Sequence, residues 1–122
     1  MSNKWQGLDR FWNSFGIPAY DQNTVPPDAQ MPYITYEAVT AGFEDVIPLA
    51  GHIWYYSTSW EDASAKADQI ASAVSPFRLV QLGNKEYLFI AKGTPFAQRV
   101  PDENDSVRRI YINLLAEYFS AT

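Results

Sequence analysis

The sequence predicts an α+β fold: a mainly antiparallel sheet of about four to five strands with two helices packed on one face. Three observations carry that prediction. The chain opens on a run of aromatic residues at helical spacing, and a second, alanine-rich helical run lies in mid-chain. Short β-branched and aromatic stretches fill the rest, with turn residues between them. At 122 residues the chain has the length of one domain, residues 1–122, and can bury about two-thirds of its unfolded surface in one core.

Trp5, Leu8, Phe11, Trp12 and Phe15 recur at the spacing of one helix face, and Gly16 with Pro18 marks the stop. From Ile17 to about Met31, Pro18, Pro26 and Pro27 stand among polar residues. Proline fixes φ and drives its predecessor towards extended geometry, so the segment reads as a stiff, non-helical arm. Pro32 to Val39 has the composition of a strand opened by proline. A turn is expected at Gly42 and Glu44–Asp45, then a second strand over about Ile53 to Ser57.

The clearest local pattern is "STSWEDASAKADQIASAVSP". Ser59 suits an N-cap, and Glu61 and Asp62 place negative charge in the first turn. Trp60, Ala63, Ala67, Ile70, Ala71 and Val74 share one face, and Pro76 stops the helix. The small alanines let this helix lie close against a sheet. "FRLVQLGNKEYLFIAKG" reads as a hairpin around Gly83–Asn84, and "TPFAQRVPDENDS" as a polar loop. Val107 to Phe119 fits both periods. Helical spacing collects Val107, Ile110, Tyr111, Leu114, Leu115, Tyr118 and Phe119, whereas Ile110, Ile112, Leu114, Ala116 and Tyr118 alternate as a strand. The strand reading is favoured, because a small sheet needs a long partner.

Composition excludes several functions. The net charge of −5 opposes nonspecific nucleic-acid binding, and Arg108–Arg109 is a pair rather than a basic patch. No cysteine is present, so neither disulfides nor thiolate sites arise. No apolar run is long enough for a membrane helix, and "MSNKWQGLDRFW" has no apolar signal core, so a cytoplasmic chain is expected. Neither a Walker loop nor G-x-G-x-x-G occurs.

His52 stands without the partners of a zinc site or a catalytic triad, and reads as a histidine at a strand entrance. "DENDS", residues 102–106, lacks the Gly and Glu of a calcium loop at the required positions, so a solvated acidic loop is expected. Glu37, Glu44 and Asp45 read as surface charge. The run Trp54-Tyr55-Tyr56 could imitate a stacking platform, but no basic residues accompany it, which favours core and interface roles. No catalytic, metal-binding or cofactor-binding residue is assigned.

Taken in order, "FWNSFGIPAY", "VPPDAQMPYITYE", "IWYYSTSWEDASAKADQI" and "KGTPFAQR" (Lys92 to Arg99) carry a resemblance. The chain, from about Phe11 to Tyr118, resembles the tail terminator or tail completion (head–tail joining) proteins of long-tailed bacteriophages and prophages, in their Gram-positive branch. The resemblance implies a non-enzymatic virion protein with an α+β fold and no cofactor. It also implies a hexameric ring on the head-proximal end of the tail tube, which ends tube polymerisation and meets the head connector. The implied partners are other copies of the chain, the tail tube protein and the connector. The implied location is the virion tail, reached through assembly in the host cytoplasm.

A ring closes through two different patches on each subunit. The proline-rich arm supplies one candidate (Thr24, Val25, Pro26, Pro27, Met31), because restricted φ angles lose little entropy on docking. The loop predicted over Thr94 to Asp105 supplies the other, with Phe96 and Arg99. A bacterial interaction or small-ligand module, with an apolar pocket between helix and sheet, stands as the alternative.

Overall fold

From Val107 to Ser120 the side chains alternate between buried and open positions, and the segment is a 14-residue strand in the middle of the sheet. Period two therefore wins over period 3.6 where the sequence allowed both. The computed structural model describes residues 4–37 and 46–120. In chain order these form helix α1 (Lys4–Trp12) with a 3-10 turn at Asn13–Phe15, β1 (Ala19–Asp21), β2 (Tyr33–Tyr36) and β3 (Val46–Tyr56). Helix α2 (Glu61–Ala73), β4 (Arg78–Gly83), β5 (Glu86–Val100) and β6 (Val107–Ser120) follow.

The strands form one sheet in the order β1-β2-β3-β6-β5-β4. This corrects the expectation of a mainly antiparallel sheet of four to five strands: six are present among the described residues, and the sheet is mixed. β1 runs parallel to β2, while the β2–β3, β3–β6, β6–β5 and β5–β4 pairings are antiparallel. The added strand is three residues inside the segment read as an arm, too short to show a period.

Its presence explains the arm. A parallel neighbour must be reached by a crossover, since a tight hairpin would reverse the chain. Residues 22–32 are that crossover, and they fold as turns rather than as a straight rod. Thr24 N–H donates to Asp21 O at 2.9 Å, and Ala29 N–H to Pro26 O at 3.0 Å. Pro27 sits second in the latter turn, where its fixed φ fits.

The predicted loop from Thr94 is also corrected, because β5 runs on to Val100. Lys92 pairs with Leu114 and Ala97 with Ile112, so residues 93–96 bulge out opposite Asn113 and the ladder then resumes. Only residues 101–106 connect β5 to β6. Likewise β3 begins seven residues before the strand predicted there, and β2 is described only to Tyr36. The turn expected at Gly42 and Glu44–Asp45, and the end of the strand drawn to Val39, lie outside the described residues. The hairpin turn is centred one residue later than expected, on Asn84–Lys85, with Lys85 at φ 63°.

One face of the sheet carries Ile47, Leu49 and Ile53 of β3, Leu88 and Ile90 of β5, and Ile110, Ile112, Leu114, Ala116 and Tyr118 of β6. These share a core with Leu8, Phe11, Trp12 and Phe15 from the first helical segment and with Ala63, Ala67, Ile70 and Val74 from α2. The alanines bring α2 near β3 and β6, as expected from its sequence. Ser59 Oγ accepts the Glu61 N–H at 3.1 Å, satisfying one free donor at the helix start. Lys66 Nζ donates to Phe15 O at 2.6 Å and ties the two helical layers together.

The first helix also touches both edges of the sheet. Arg10 Nη2 donates to Gln81 O of β4 at 2.9 Å. Asn13, just past α1, grips Ala19 of β1 twice, through its N–H at 2.9 Å and its carbonyl at 3.2 Å. Edges at opposite ends of the strand order therefore meet one helical segment, which requires a curled sheet.

Candidate interaction surface

Strand alternation sends half of the side chains to the face without helices, and that half is aromatic. Two rows cross the sheet there. Tyr33, Trp54 and Arg109 align in one row, and Thr35, His52 and Tyr111 in the next. Tyr20 of β1 meets Tyr33 edge-on at 5.8 Å between ring centroids. His52 lies 6.1 Å from Trp54 and 5.2 Å from Tyr111. The Arg109 guanidinium covers the Trp54 ring at 4.8 Å. Trp54 Nε1 donates to Thr35 Oγ1 at 2.8 Å, which satisfies a buried hydroxyl and fixes the indole.

Further along the same face, Phe77 stacks on Phe89 at 5.2 Å and Tyr87 on Phe119 at 5.5 Å. Phe77, Leu79, Leu115 and Val46 are all substantially exposed there. Glu117, opposite Val46 and Phe89, places an acid among these apolar groups.

His52 therefore lies within a strand, between aromatic rings. Its Nδ1 is buried without a partner. Burial, reinforced by the nearby Arg109 charge, holds its pKa below the ordinary histidine value. This arrangement favours a neutral ring packed in a surface, flanked by Thr35, Trp54 and Tyr111.

The remaining candidates scatter. In the 102–106 loop, Asp102 Oδ1 accepts the Asn104 N–H at 3.0 Å and Asn104 Oδ1 accepts the Ser106 N–H at 2.8 Å, so these side chains build turns. Glu37 is exposed beyond β2, and Glu44 and Asp45 lie outside the described residues. Among the described residues, no group of three or more His, Asp or Glu side chains gathers where a metal could sit. Tyr55 and Trp54 point to opposite faces, so the Trp54-Tyr55-Tyr56 run does not form one platform.

The predicted interface residues fall into two groups. Thr24 and Pro27 are exposed in the β1–β2 crossover, with Val25, Pro26 and Met31 partly covered. Phe96 lies in the β5 bulge and packs partly against the core, while Arg99 is exposed beyond it. The β3–β6 pair separates the groups, so the structure does not bring them together within one chain.

Around Arg99 lies a feature that sequence reading missed. Arg99 and Arg108 both approach the Trp60 ring, at 4.8 and 5.3 Å from its centroid. Arg108 also donates to Thr58 O and Asp105 O, each at 2.8 Å. Strand alternation was the available signal: adjacent Arg108 and Arg109 must face opposite ways, one onto Trp60 and the other onto Trp54. Among the described residues, concavities include open grooves, such as one of about 710 Å³ lined by Trp5, Gln6, Asp9, Arg10 and Leu82. The space between α2 and the sheet is occupied by core side chains.

No protein-family model matches the chain, and no curated protein matches it. Among solved structures, it is similar to a chain in the virion of a native gene transfer agent particle. The TM-score is 0.55 at 19% sequence identity, covering 94% of this chain and 90% of that chain. The likeness shows a common α+β fold running through nearly the whole of both chains.

Proposed function

We propose that the chain is a non-enzymatic structural subunit of a phage-like virion, forming a ring that caps the tail tube and joins tail to head. The observation that carries this reading is the nearly full-length fold similarity to a chain of a virion particle. The order of motifs that resembles tail terminators narrows the role to the end of the tube. The open aromatic face adds support, since aromatic residues are enriched where proteins associate.

In this reading the domain repeats around the ring through unlike patches, the β1–β2 crossover with Thr24, Val25, Pro26, Pro27 and Met31, and the β5 bulge region with Phe96 and Arg99. Their separation across the β3–β6 pair suits a head-to-tail contact. The tail tube protein and the connector meet the two rims.

The test is light scattering on a size-exclusion column across concentration, with negative-stain images, alone and after mixing with assembled tail tubes. A sixfold ring in solution or at tube ends is expected. A chain that remains monomeric and leaves tube ends bare would overturn the reading. Replacing residues 24–31 with a Gly/Ser segment is expected to leave the monomer folded while abolishing rings.

A further inference from the structure

The two edges of the sheet are treated differently. At β1, the Asn13 side chain pairs with both backbone groups of Ala19, as a neighbouring strand would, and the strand is only three residues long. That edge is closed to further pairing. At β4, which ends the strand order on the other side, six residues run without a proline. An edge of this kind is a template for another strand.

Hydrogen bonds show which groups of β4 are free. The Gln81 carbonyl points away from β5, because Arg10 donates to it, and the Gly83 carbonyl is taken by the Gln81 side chain. Backbone groups of alternate residues point the same way, so the Leu79 N–H and C=O and the Gln81 N–H also face outward. A groove of about 260 Å³ follows this edge, lined by Arg10, Phe11, Arg78, Leu79, Val80 and Gln81.

The side chains along the edge divide by chemistry. Phe77 and Leu79, each about half exposed (49% and 48%), sit on the aromatic face. Arg10 and Arg78 line the groove without any acidic residue, in a chain whose net charge is −5. We infer that β4 accepts an extended segment of a partner protein as a seventh strand, with carboxylates alternating with apolar side chains. The carboxylates meet Arg10 and Arg78, and the apolar residues extend the Phe77–Leu79 strip. The Leu79 N–H and C=O and the Gln81 N–H supply register, since the Gln81 carbonyl already accepts from Arg10, and the two arginines supply selectivity. This inference stands apart from the ring reading: it concerns a peptide segment and one edge, whatever the oligomeric state.

The test uses blocked peptides of about eight residues, a length that covers the edge. One alternates Glu with Val and the other Lys with Val. Titrations followed by amide chemical shifts are run on the whole chain and on the variants Leu79→Pro and Arg78→Glu. Proline at position 79 removes an outward N–H that β5 does not use, so the fold tolerates it and the edge is blocked. The Glu–Val peptide is expected to shift the Leu79 and Gln81 amides, and to bind at least about tenfold more tightly than the Lys–Val peptide. Leu79→Pro abolishes this binding, and Arg78→Glu reverses the preference with the edge intact.

Equal binding of both peptides, or binding unaffected by Leu79→Pro, overturns the inference. So does no shift at about 1 mM peptide. Self-association without peptide that disappears in Leu79→Pro would instead assign the edge to a second copy.

Discussion

Gly51 shows how one residue sets the spacing of a layer. It lies on the helix side of β3, where an added Cβ would stand 2.9 Å from Trp12 Cη2 and 3.2 Å from Thr35 O. Trp12 is fully buried and stacks on Tyr36 at 6.0 Å, so the indole has no free direction in which to retreat. Gly51→Ala is therefore expected to destabilise the fold by about 1–3 kcal/mol through overpacking, read as a lower denaturant midpoint. One residue along, His52 makes a pH prediction. Burial first, then the Arg109 charge, lowers its folded pKa below the usual value. The unfolded chain thus binds a proton at higher pH than the folded one. Stability from neutral His52 is fully present above the unfolded value, near 6.5, and is lost as pH falls through the lower folded value. The slope of Tm against pH below about 6.5 is expected to flatten in His52→Gln. An unchanged slope would mean that His52 is equally solvated in both states. Neither role was legible in the sequence, because Gly51 depends on the helix residue packed over it and His52 on the residue across the ladder.

Elements were legible where a pattern repeated often enough to exceed its local context. The apolar spacing of the first helical segment and the alanine face of α2 are such patterns, and both helices form, although Phe15 falls in the 3-10 turn after α1 and Trp5 is half exposed rather than on the buried face. β1 was hidden because three residues hold no period, and its pairing depends on β2 beyond the crossover. The second half of β5 was hidden because Gly93 and Pro95 look like loop residues, whereas here they form a bulge that restores the ladder at Ala97. β6 was ambiguous for a physical reason: a run with apolar residues at most positions satisfies both periods. Two neighbours on it test the resolution. Leu114 is fully buried beneath the helices, and Leu115 is 42% exposed on the aromatic face. Leu114→Ala is expected to cost about 2–5 kcal/mol, the range for a core leucine, whereas Leu115→Ala costs under about 1 kcal/mol. Equal costs would contradict the alternation. The candidate interface was less legible than the elements, since the polar loop expected around Phe96 and Arg99 proved to be strand.

At the scale of the whole molecule, charge and the aromatic face would act in opposite directions in the proposed ring. Each copy carries a formal charge of −5, so copies gathered in a ring repel one another through solvent. The aromatic face is nearly free of charge, with Arg109 and Glu117 among tyrosines, tryptophan and phenylalanines. Burial of such a surface does not depend on counter-ions to first order, whereas repulsion between exposed charges fades once the Debye length shrinks to about 8 Å near physiological ionic strength. Assembly is therefore expected to strengthen with salt. Sedimentation velocity at about 20, 150 and 500 mM sodium chloride should show the ring fraction rising with each step. Arg99 sharpens the experiment, because its guanidinium is exposed beside Trp60 in one proposed patch. If contacts between Arg99 and an acidic neighbour dominate instead, the ring fraction falls with salt and Arg99→Gln mimics that loss. If apolar contact dominates, Arg99→Gln leaves the salt dependence rising, and Phe96→Ala in the same patch weakens assembly.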